Sequence, residues 1–354
     1  MVMVADPFVG TPTSYSSSQF VLSIAQKYGG RMRSIVCTAY GTEDNLVLEE
    51  GTTPQPAPGQ VRVAVKAAGA SFVDALQAAG KYQFAAQPPY VPGGEAAGVV
   101  DAIGEGVNGW EVGDRVVVSI GKGAFADHIV ALPQQLIRLP DEVDLAVGAS
   151  FLQVYGTAWF AFKKRTVVRP GEVVLVTGAG GGVGLAAVDV ARSLGARVIA
   201  VASSEEKRAL ALAVGADATI DPLSEDIKTR ARELTDGAGV DIVYDVAGGD
   251  VSDPALRALR FDGRFLVIGF PGGIAKVPLN LVLLNNRTII GVEWGGWVPR
   301  NMEENRAMII EIVGAIARGE LHPVTPTERP LTDARAVLSE LLNRETAGKV
   351  VLVP

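Results

Sequence analysis

Cysteine and histidine are nearly missing from this chain: Cys37, His128 and His322 are all it has in 354 residues. A lone cysteine excludes an internal disulfide and suits a reducing compartment, so a cytoplasmic location is expected. Ile35-Val36-Cys37 reads as a buried strand rather than a reactive thiol. Catalytic zinc takes about three protein N, S or O donors, and structural zinc usually about four rich in cysteine. The scattered Cys and His residues offer neither set, and no metal site is expected. Long apolar runs are missing too, none approaching the roughly 18 to 20 residues of a membrane helix. The net charge of -7 gives no general attraction to nucleic acid or anionic lipid. No basic-aromatic RNA motif is visible either, so neither partner is expected. What remains is 48% hydrophobic and 20% charged, the balance of a soluble globular chain long enough for two domains.

The stretch from Glu172 to Leu194 carries the strongest signal. Val173-Val174-Leu175-Val176 is short and β-branched enough for a buried parallel strand. Gly178, Ala179, Gly180, Gly181, Gly182, Val183 and Gly184 follow, and then an unbroken helical run from Leu185 to Ala191. Strand, glycine turn and helix are the layout of a dinucleotide-binding unit. Glycines permit a tight turn and close backbone approach to a pyrophosphate, and the helix amides face the anion. The spacing departs from the usual fingerprint, because Ala179 takes the place of its first glycine when the motif ends on Gly184. The alternative is a turn that serves only as a helix cap. The flanking strand and helix, and a second strand at Arg197 to Val201, favour the cofactor reading.

Residues 1–31 read as a flexible N-terminal extension, dominated by Thr, Pro and Ser from Thr11 to Ser18. Phe20, Val21, Ile24, Ala25 and Tyr28 fall on one face of a short helix. The first basic residue is Lys27 and Asp6 sits near the start, which speaks against a mitochondrial presequence. The apolar run is too short for a secretory signal. From Arg33 to about Gln153, alternating Val61, Val63 and Val65 and further strands at 99–103, 115–120 and 126–130 predict a β-rich, barrel-like domain. Asp141-Glu142 reads as a helix start. From Thr157 to about Glu293 apolar strands alternate with helices, which predicts a doubly wound parallel sheet. Met302 to Ile316 is an amphipathic helix, and Lys349 to Val353 a closing strand. The expected organisation is a substrate domain of residues 32–156 plus 294–354, interrupted by a dinucleotide-binding domain at 157–293.

Six landmarks occur in order: Pro92-Gly93-Gly94-Glu95-Ala96-Ala97-Gly98, Gly113-Asp114-Arg115-Val116, Tyr155-Gly156-Thr157-Ala158, the glycine turn, Gly263-Arg264, and Ala347-Gly348-Lys349-Val350-Val351. With them the chain resembles, from Met32 to Pro354, the zinc-independent NADPH:quinone oxidoreductase (zeta-crystallin-like) family of the medium-chain dehydrogenase/reductase superfamily. The resemblance implies an α/β fold in which a Rossmann domain is inserted in a β-rich, GroES-like barrel domain. Zinc alcohol dehydrogenases of this superfamily carry Cys where this chain has Ser71, and His where it has Gly94. The resemblance therefore implies a site without zinc. Without a Lewis acid, adding hydride to an electron-poor quinone or enone is easier than dehydrogenating an unactivated alcohol.

The resemblance also puts the pocket edge at Ala70-Ser71-Phe72-Val73-Asp74 and on to Tyr82, with Ser71 and Tyr82 as catalytic donors. Relatives usually have Asn at the Ser71 position; a hydroxyl can still donate. Tyr82, with an ordinary pKa near 10, is a donor rather than a base, or else an aromatic packed on the loop after Gly80. Tyr155 faces either the pocket or the interior. Thr157 resembles the residue that touches the nicotinamide end, or it caps a helix from Ala158 to Phe162. Cofactor contacts are expected from Thr157, the turn Gly178 to Gly184, Ser203, Lys207 and Gly269. An NAD enzyme usually ends its second strand on an acid that holds the ribose hydroxyls. Here Ala202-Ser203-Ser204 precede Glu205-Glu206-Lys207-Arg208, and Ser203 with Lys207 suits a 2′-phosphate, so NADPH is the expected cofactor. Against this, Ser203 and Glu206 have capping-box spacing, and Asp221-Pro222 stands where relatives often place a Tyr. Lys207 and Arg208 read alternatively as a solvated face.

NADPH-dependent reduction of a quinone or enone is thus the leading expectation. A 2-enoyl thioester reductase would share the fold and cofactor, but its long acyl carrier wants a basic entrance that the first domain does not clearly supply. A non-enzymatic NADPH-binding protein, structural or RNA-binding in the manner of some lens crystallins, is disfavoured by the acidic balance. Val277 to Gly291, rich in Leu and Ile, resembles the family's dimer-forming edge and implies a homodimer. The alternative is an internal strand covered by the Met302 helix.

Overall fold

The structure, a computed structural model, describes residues 30–354 except Thr42 and Ala85. The extension expected at 1–31 therefore lies outside the described residues, apart from Gly30 and Arg31, and Arg31 already pairs with Thr52.

The strands form three sheets. β1 (Arg31–Cys37) and β2 (Leu46–Thr52) make an antiparallel pair. A seven-stranded sheet contains β3 (Val61–Ala70), β4 (Glu95–Ile103), β5 (Arg115–Ser119), β6 (His128–Ala131) and β7 (Leu136–Arg138). The third sheet is parallel and six-stranded, built of β8 (Val173–Thr177), β9 (Arg197–Val201), β10 (Ala218–Ile220), β11 (Val240–Asp245), β12 (Leu259–Val267) and β13 (Thr288–Gly291). Its order is β10-β9-β8-β11-β12-β13, so the sequence doubles back between β8 and β11. Such a switch point opens a crevice at the carboxyl ends of the strands. β14 (Thr327–Pro330) and β15 (Val350–Val353) then return to the seven-stranded sheet, where β15 lies between β14 and β3. The expected α/β unit within a β-rich head and tail is the fold observed.

Local chemistry explains these elements. Every residue of β8 is buried, as a strand covered on both faces requires. Alternation along Val61, Val63 and Val65 puts each of them in the interior of the seven-stranded sheet. The helices that position the site are α1 (Phe72–Ala78), α2 (Leu152–Phe160), α3 (Gly182–Ser193), α4 (Glu205–Val214), α5 (Met302–Ala317) and α6 (Ala334–Leu342). The helix expected to start at Asp141 begins instead at Leu145, where the Asp144 carboxylate takes the first free amides. α2 begins well before Ala158, so Thr157 is inside a helix and caps nothing.

α5 packs against α2, and its Met308, Ile309, Ile312 and Val313 share an apolar cluster with Val188 and Val190 of α3. Cys37 is buried at the end of β1, as expected, and burial pushes its thiol pKa up. Among the described residues, no helix is long and apolar enough to cross a membrane.

Candidate cofactor and substrate site

β8 ends at Thr177, whose hydroxyl donates to the Asp245 carboxylate at 2.5 Å and accepts from the amides of Val246 and Ala247. This fastens the ends of β8 and β11 on either side of the crevice. Gly178 then takes φ +63°, a left-handed conformation that lets the chain turn back at once. The turn leads into α3, and no side chain caps that helix at Gly181. Uncapped N-terminal amides beside a glycine turn form an anion site.

The glycines serve different ends. A Cβ at Gly184 would fall 2.4 Å from the Gly178 carbonyl oxygen and 2.6 Å from Ala179 Cα, so that glycine keeps α3 tight on its own turn. At Gly180 it would meet Lys207 Cβ at 2.3 Å, and at Gly182 it would meet Lys349 Cδ at 2.7 Å. Gly181 differs, since the nearest atom there lies 3.8 Å away. Among the described residues none fills the space in front of Gly181, as a cradle for a pyrophosphate requires. Ala179 is buried and Val183 half-buried within the same turn.

Lys207 lies with its stem on Gly180 and donates from Nζ to the Arg344 carbonyl oxygen at 2.7 Å. It does not belong to a solvated face. Arg208 does not either: it donates to the Ala202 carbonyl oxygen at 2.9 Å and stands 3.3 Å from Asp221. Hydrogen bonds from the Leu223 amide and from Ser224, and then the Arg208 charge, hold the Asp221 carboxyl below its usual range. α4 is capped by Ser204, which accepts from the Lys207 amide at 3.3 Å. The capping spacing of Ser203 and Glu206 is thus not used, and Ser203 stays exposed at the end of β9. Gly269 sits just past β12 on the same sheet edge, its amide 3.3 Å from the Asp245 carbonyl oxygen. Gly178 to Gly184, Ser203, Lys207 and Gly269 therefore lie along one edge.

One wall of this edge has no counterpart among the sequence expectations. The segment after α6 crosses the glycine turn, with the Gly348 amide donating to the Gly180 carbonyl oxygen at 3.0 Å. Arg344 and Gly348 belong to that wall.

The next residue, Lys349, joins this edge to the substrate side. Its Nζ donates to Glu95 and to the Ala70 carbonyl oxygen, each at 3.2 Å, while its stem covers Gly182. The second Glu95 oxygen accepts from the Gln153 amide at 2.9 Å. Both side chains are buried.

Beyond Ala70, Ser71 caps α1. Its hydroxyl donates to Asp74 at 2.5 Å and accepts from the Asp74 amide, while its own amide donates to the same carboxylate. Burial pushes the Asp74 carboxyl up to about 6; the Ser71 hydroxyl opposes this, Glu95 adds to it, and Lys349 counters it. Tyr82 is half-buried and meets Phe84 edge-on at 6.0 Å. Burial, and then the charge of Glu293, raise its hydroxyl pKa, so it is a donor at neutral pH.

Tyr155 turns inward: its hydroxyl donates to the buried Asp189 at 2.7 Å, which also takes the His322 amide. Thr157 is half-buried in α2 and donates back to the Gln153 carbonyl oxygen at 2.7 Å. Among the described residues, no group of three or more His, Cys, Asp or Glu is placed to hold a metal ion.

Two family models match: "Alcohol dehydrogenase GroES-like domain" over residues 57–141 and "Zinc-binding dehydrogenase" over residues 182–311. Quinone oxidoreductase-like protein 2 of Bos taurus is 36% identical over 330 residues, 92% of this chain and 94% of that protein. The chain belongs to the quinone oxidoreductase family of the medium-chain dehydrogenase/reductase superfamily. Another relative, the 2-haloacrylate reductase of a Burkholderia species, is 35% identical over 89% of this chain and 96% of its own length. Among solved structures of the family, Escherichia coli quinone oxidoreductase complexed with NADPH superposes with a TM-score of 0.82 and 30% identity. That match covers 91% of this chain and all of the other, so the fold is shared over nearly the whole length.

Proposed function

We propose that this quinone oxidoreductase family member is an NADPH-dependent reductase of quinones or related electron-poor alkenes that works without a metal. The observation that carries this reading is the open space before Gly181, at an uncapped helix start with Lys207 laid across the same turn. Gly178 to Gly184 would hold the pyrophosphate, Ser203 and Lys207 the 2′-phosphate, and Gly269 and Thr157 the nicotinamide half. When bound, the cofactor supplies a hydride. The protein's share is to exclude water and stabilise charge on the acceptor oxygen, for which Ser71 and Tyr82 are the donors. Relatives named for quinones and for a haloacrylate support an acceptor polarised by conjugation rather than an alcohol.

Two further proposals complete the reading. The first is a cytoplasmic homodimer. β13 is the outermost strand of its sheet rather than a covered one, and Leu279, Leu283, Leu284 and Ile289 are exposed around it. An exposed apolar sheet edge favours pairing with a second copy. The second is the division into a substrate domain of 32–156 plus 294–354 and a cofactor domain of 157–293. The deciding experiment follows NADPH and NADH consumption with quinones, enones and enoyl thioesters, with and without a chelator. Consumption of NADPH with quinones or enones, undiminished by chelation, supports the reading. No turnover with any electron-poor acceptor, or activity lost on chelation and restored by zinc, refutes it.

A further inference from the structure

A reduction that adds hydride must also add a proton, and a buried acid beside the acceptor can supply it faster than bulk water. Ser71 is placed to hand one over. The preceding residue, Ala70, is tied through Lys349 to Gly182 at the start of α3, which brings the cap of α1 up to the cofactor edge. In a surface capping box the acid is ionised and solvated. Here both members are buried, Ser71 to 8% and Asp74 to 4% exposure, with 2.5 Å between hydroxyl and carboxylate.

The direction of that one hydrogen bond decides what Ser71 can do. With Asp74 ionised, the hydroxyl proton is committed to the carboxylate and Ser71 has nothing to give. With Asp74 protonated, the acid donates to Ser71 Oγ, and the Ser71 proton is free to turn toward a bound acceptor. We infer that Asp74 is the proton reserve of the reaction and acts through the Ser71 hydroxyl. This rests on the reductase reading above. As the acceptor takes hydride, its π pair moves to the carbonyl oxygen. The Ser71 O–H bond breaks as an O–H bond forms on the acceptor, and the Asp74 O–H bond breaks as that of Ser71 re-forms. The Asp74 carboxylate then takes one proton from water. The acceptor has gained a hydride and a proton, and the cofactor has lost a hydride.

The surroundings keep Asp74 near this balance. Burial raises its pKa to about 6, between the opposing charges of Glu95 on β4 and Lys349 before β15. The Tyr90 hydroxyl, ahead of β4, is close enough to feel the Asp74 charge and is a neutral donor at working pH. α6 packs on α1, and its charges are engaged elsewhere: Arg335 with Asp44 and Glu340 with Arg329. The acid form is the competent one, so activity is half-maximal near pH 6, rises to its full value below that and declines above it.

The test measures kcat/KM for 1,4-naphthoquinone and for 2-cyclohexenone at saturating NADPH from pH 5 to 8.5, in water and in deuterium oxide. The full-length wild type is expected to lose about tenfold per pH unit on the alkaline side and to show a normal solvent isotope effect. Asp74→Asn should lower the rate by about 10²-fold or more and flatten the profile. Its Kd for NADPH should stay near that of the wild type, because the glycine turn is untouched. Ser71→Thr, which keeps the hydroxyl, should preserve the sloping profile, and Ser71→Ala should lose it. A folded Asp74→Asn protein with the wild-type profile overturns the inference. So does a wild-type profile that is flat with no isotope effect, which holds even if the variants fail to fold. Either result, obtained with an enzyme that does consume NADPH, leaves the reductase reading standing. Absence of consumption with both acceptors refutes that reading and this inference with it.

Discussion

Gly181 and Gly184 lie in the same turn, yet a single methyl group should affect them in opposite ways. At Gly181 the backbone has φ -96° and ψ 166°, which any residue adopts, and a Cβ would have 3.8 Å of clearance. Gly181→Ala should therefore leave stability unchanged or raise it by about 0.4–1 kcal/mol, through a less flexible unfolded chain. The same methyl would occupy the space proposed for the pyrophosphate. Loss of one charge-assisted amide–phosphate bond, about 1.5–3 kcal/mol, corresponds to a roughly ten- to hundredfold weaker NADPH complex. NADH should weaken equally, since the pyrophosphate is common to both. At Gly184 the methyl meets backbone atoms at 2.4 and 2.6 Å that cannot swing away. Gly184→Ala should cost about 1–3 kcal/mol or more by overpacking, and lower Tm by several degrees. Cofactor titration by fluorescence or calorimetry, paired with thermal unfolding, separates the two effects. Normal binding of both cofactors by Gly181→Ala would refute the pyrophosphate assignment, and an unchanged Tm for Gly184→Ala would refute the packing account.

Lys207→Ala should weaken NADPH by about ten- to hundredfold and leave NADH nearly unchanged, because only the former carries a 2′-phosphate; equal weakening of both in a titration refutes the phosphate role. Lys349→Met leaves the Glu95 carboxylate buried without its cation and should cost about 3–5 kcal/mol in denaturant unfolding. Adding Glu95→Gln should recover most of that loss, and a single variant as stable as the wild type would show that the pair is not a unit. Leu283→Glu together with Ile289→Lys should convert a dimer to a monomer in sedimentation at micromolar concentration; a wild type that already sediments as a monomer refutes the proposed edge pairing.

Signals carried within one short segment were legible in the sequence alone. The β8 run, the glycine turn and α3 follow from composition over a few residues, because strand burial and backbone freedom are local demands. The resemblance then ordered the two halves correctly. The choice between Ser203 and Ser204 as helix cap was not legible, since either serine satisfies the local chemistry and the end of β9 decides between them. The Arg344 and Gly348 contacts with the turn were hidden for another reason: nothing near Gly180 announces which distant segment will cross it. For Tyr155 the sequence holds a usable signal in favour of the interior. Asp189 lies on the apolar face of α3, a buried carboxylate requires donors, and a tyrosine on a neighbouring helix is a natural one. Asp74 was visible only as part of a strip, because its raised pKa arises from burial beside Glu95, which the sequence does not bring together.

The position of β15 between β14 and β3 has a consequence for how the protein is made. Lys349, one residue before β15, contacts Ala70 across 279 residues of chain. Val350, Val351 and Leu352 pair with the end of β3. Domains usually fold in the order of their synthesis. Here the end of β3, Ala68 to Ala70, has to wait for its partner while the inserted parallel sheet emerges and folds. Closure over so long a separation is slow, and an open strand edge invites pairing with other chains in the interval. β15 thus acts as a completion signal: a nascent chain that has not yet reached it presents a sticky, unfinished sheet, whatever the state of its cofactor domain.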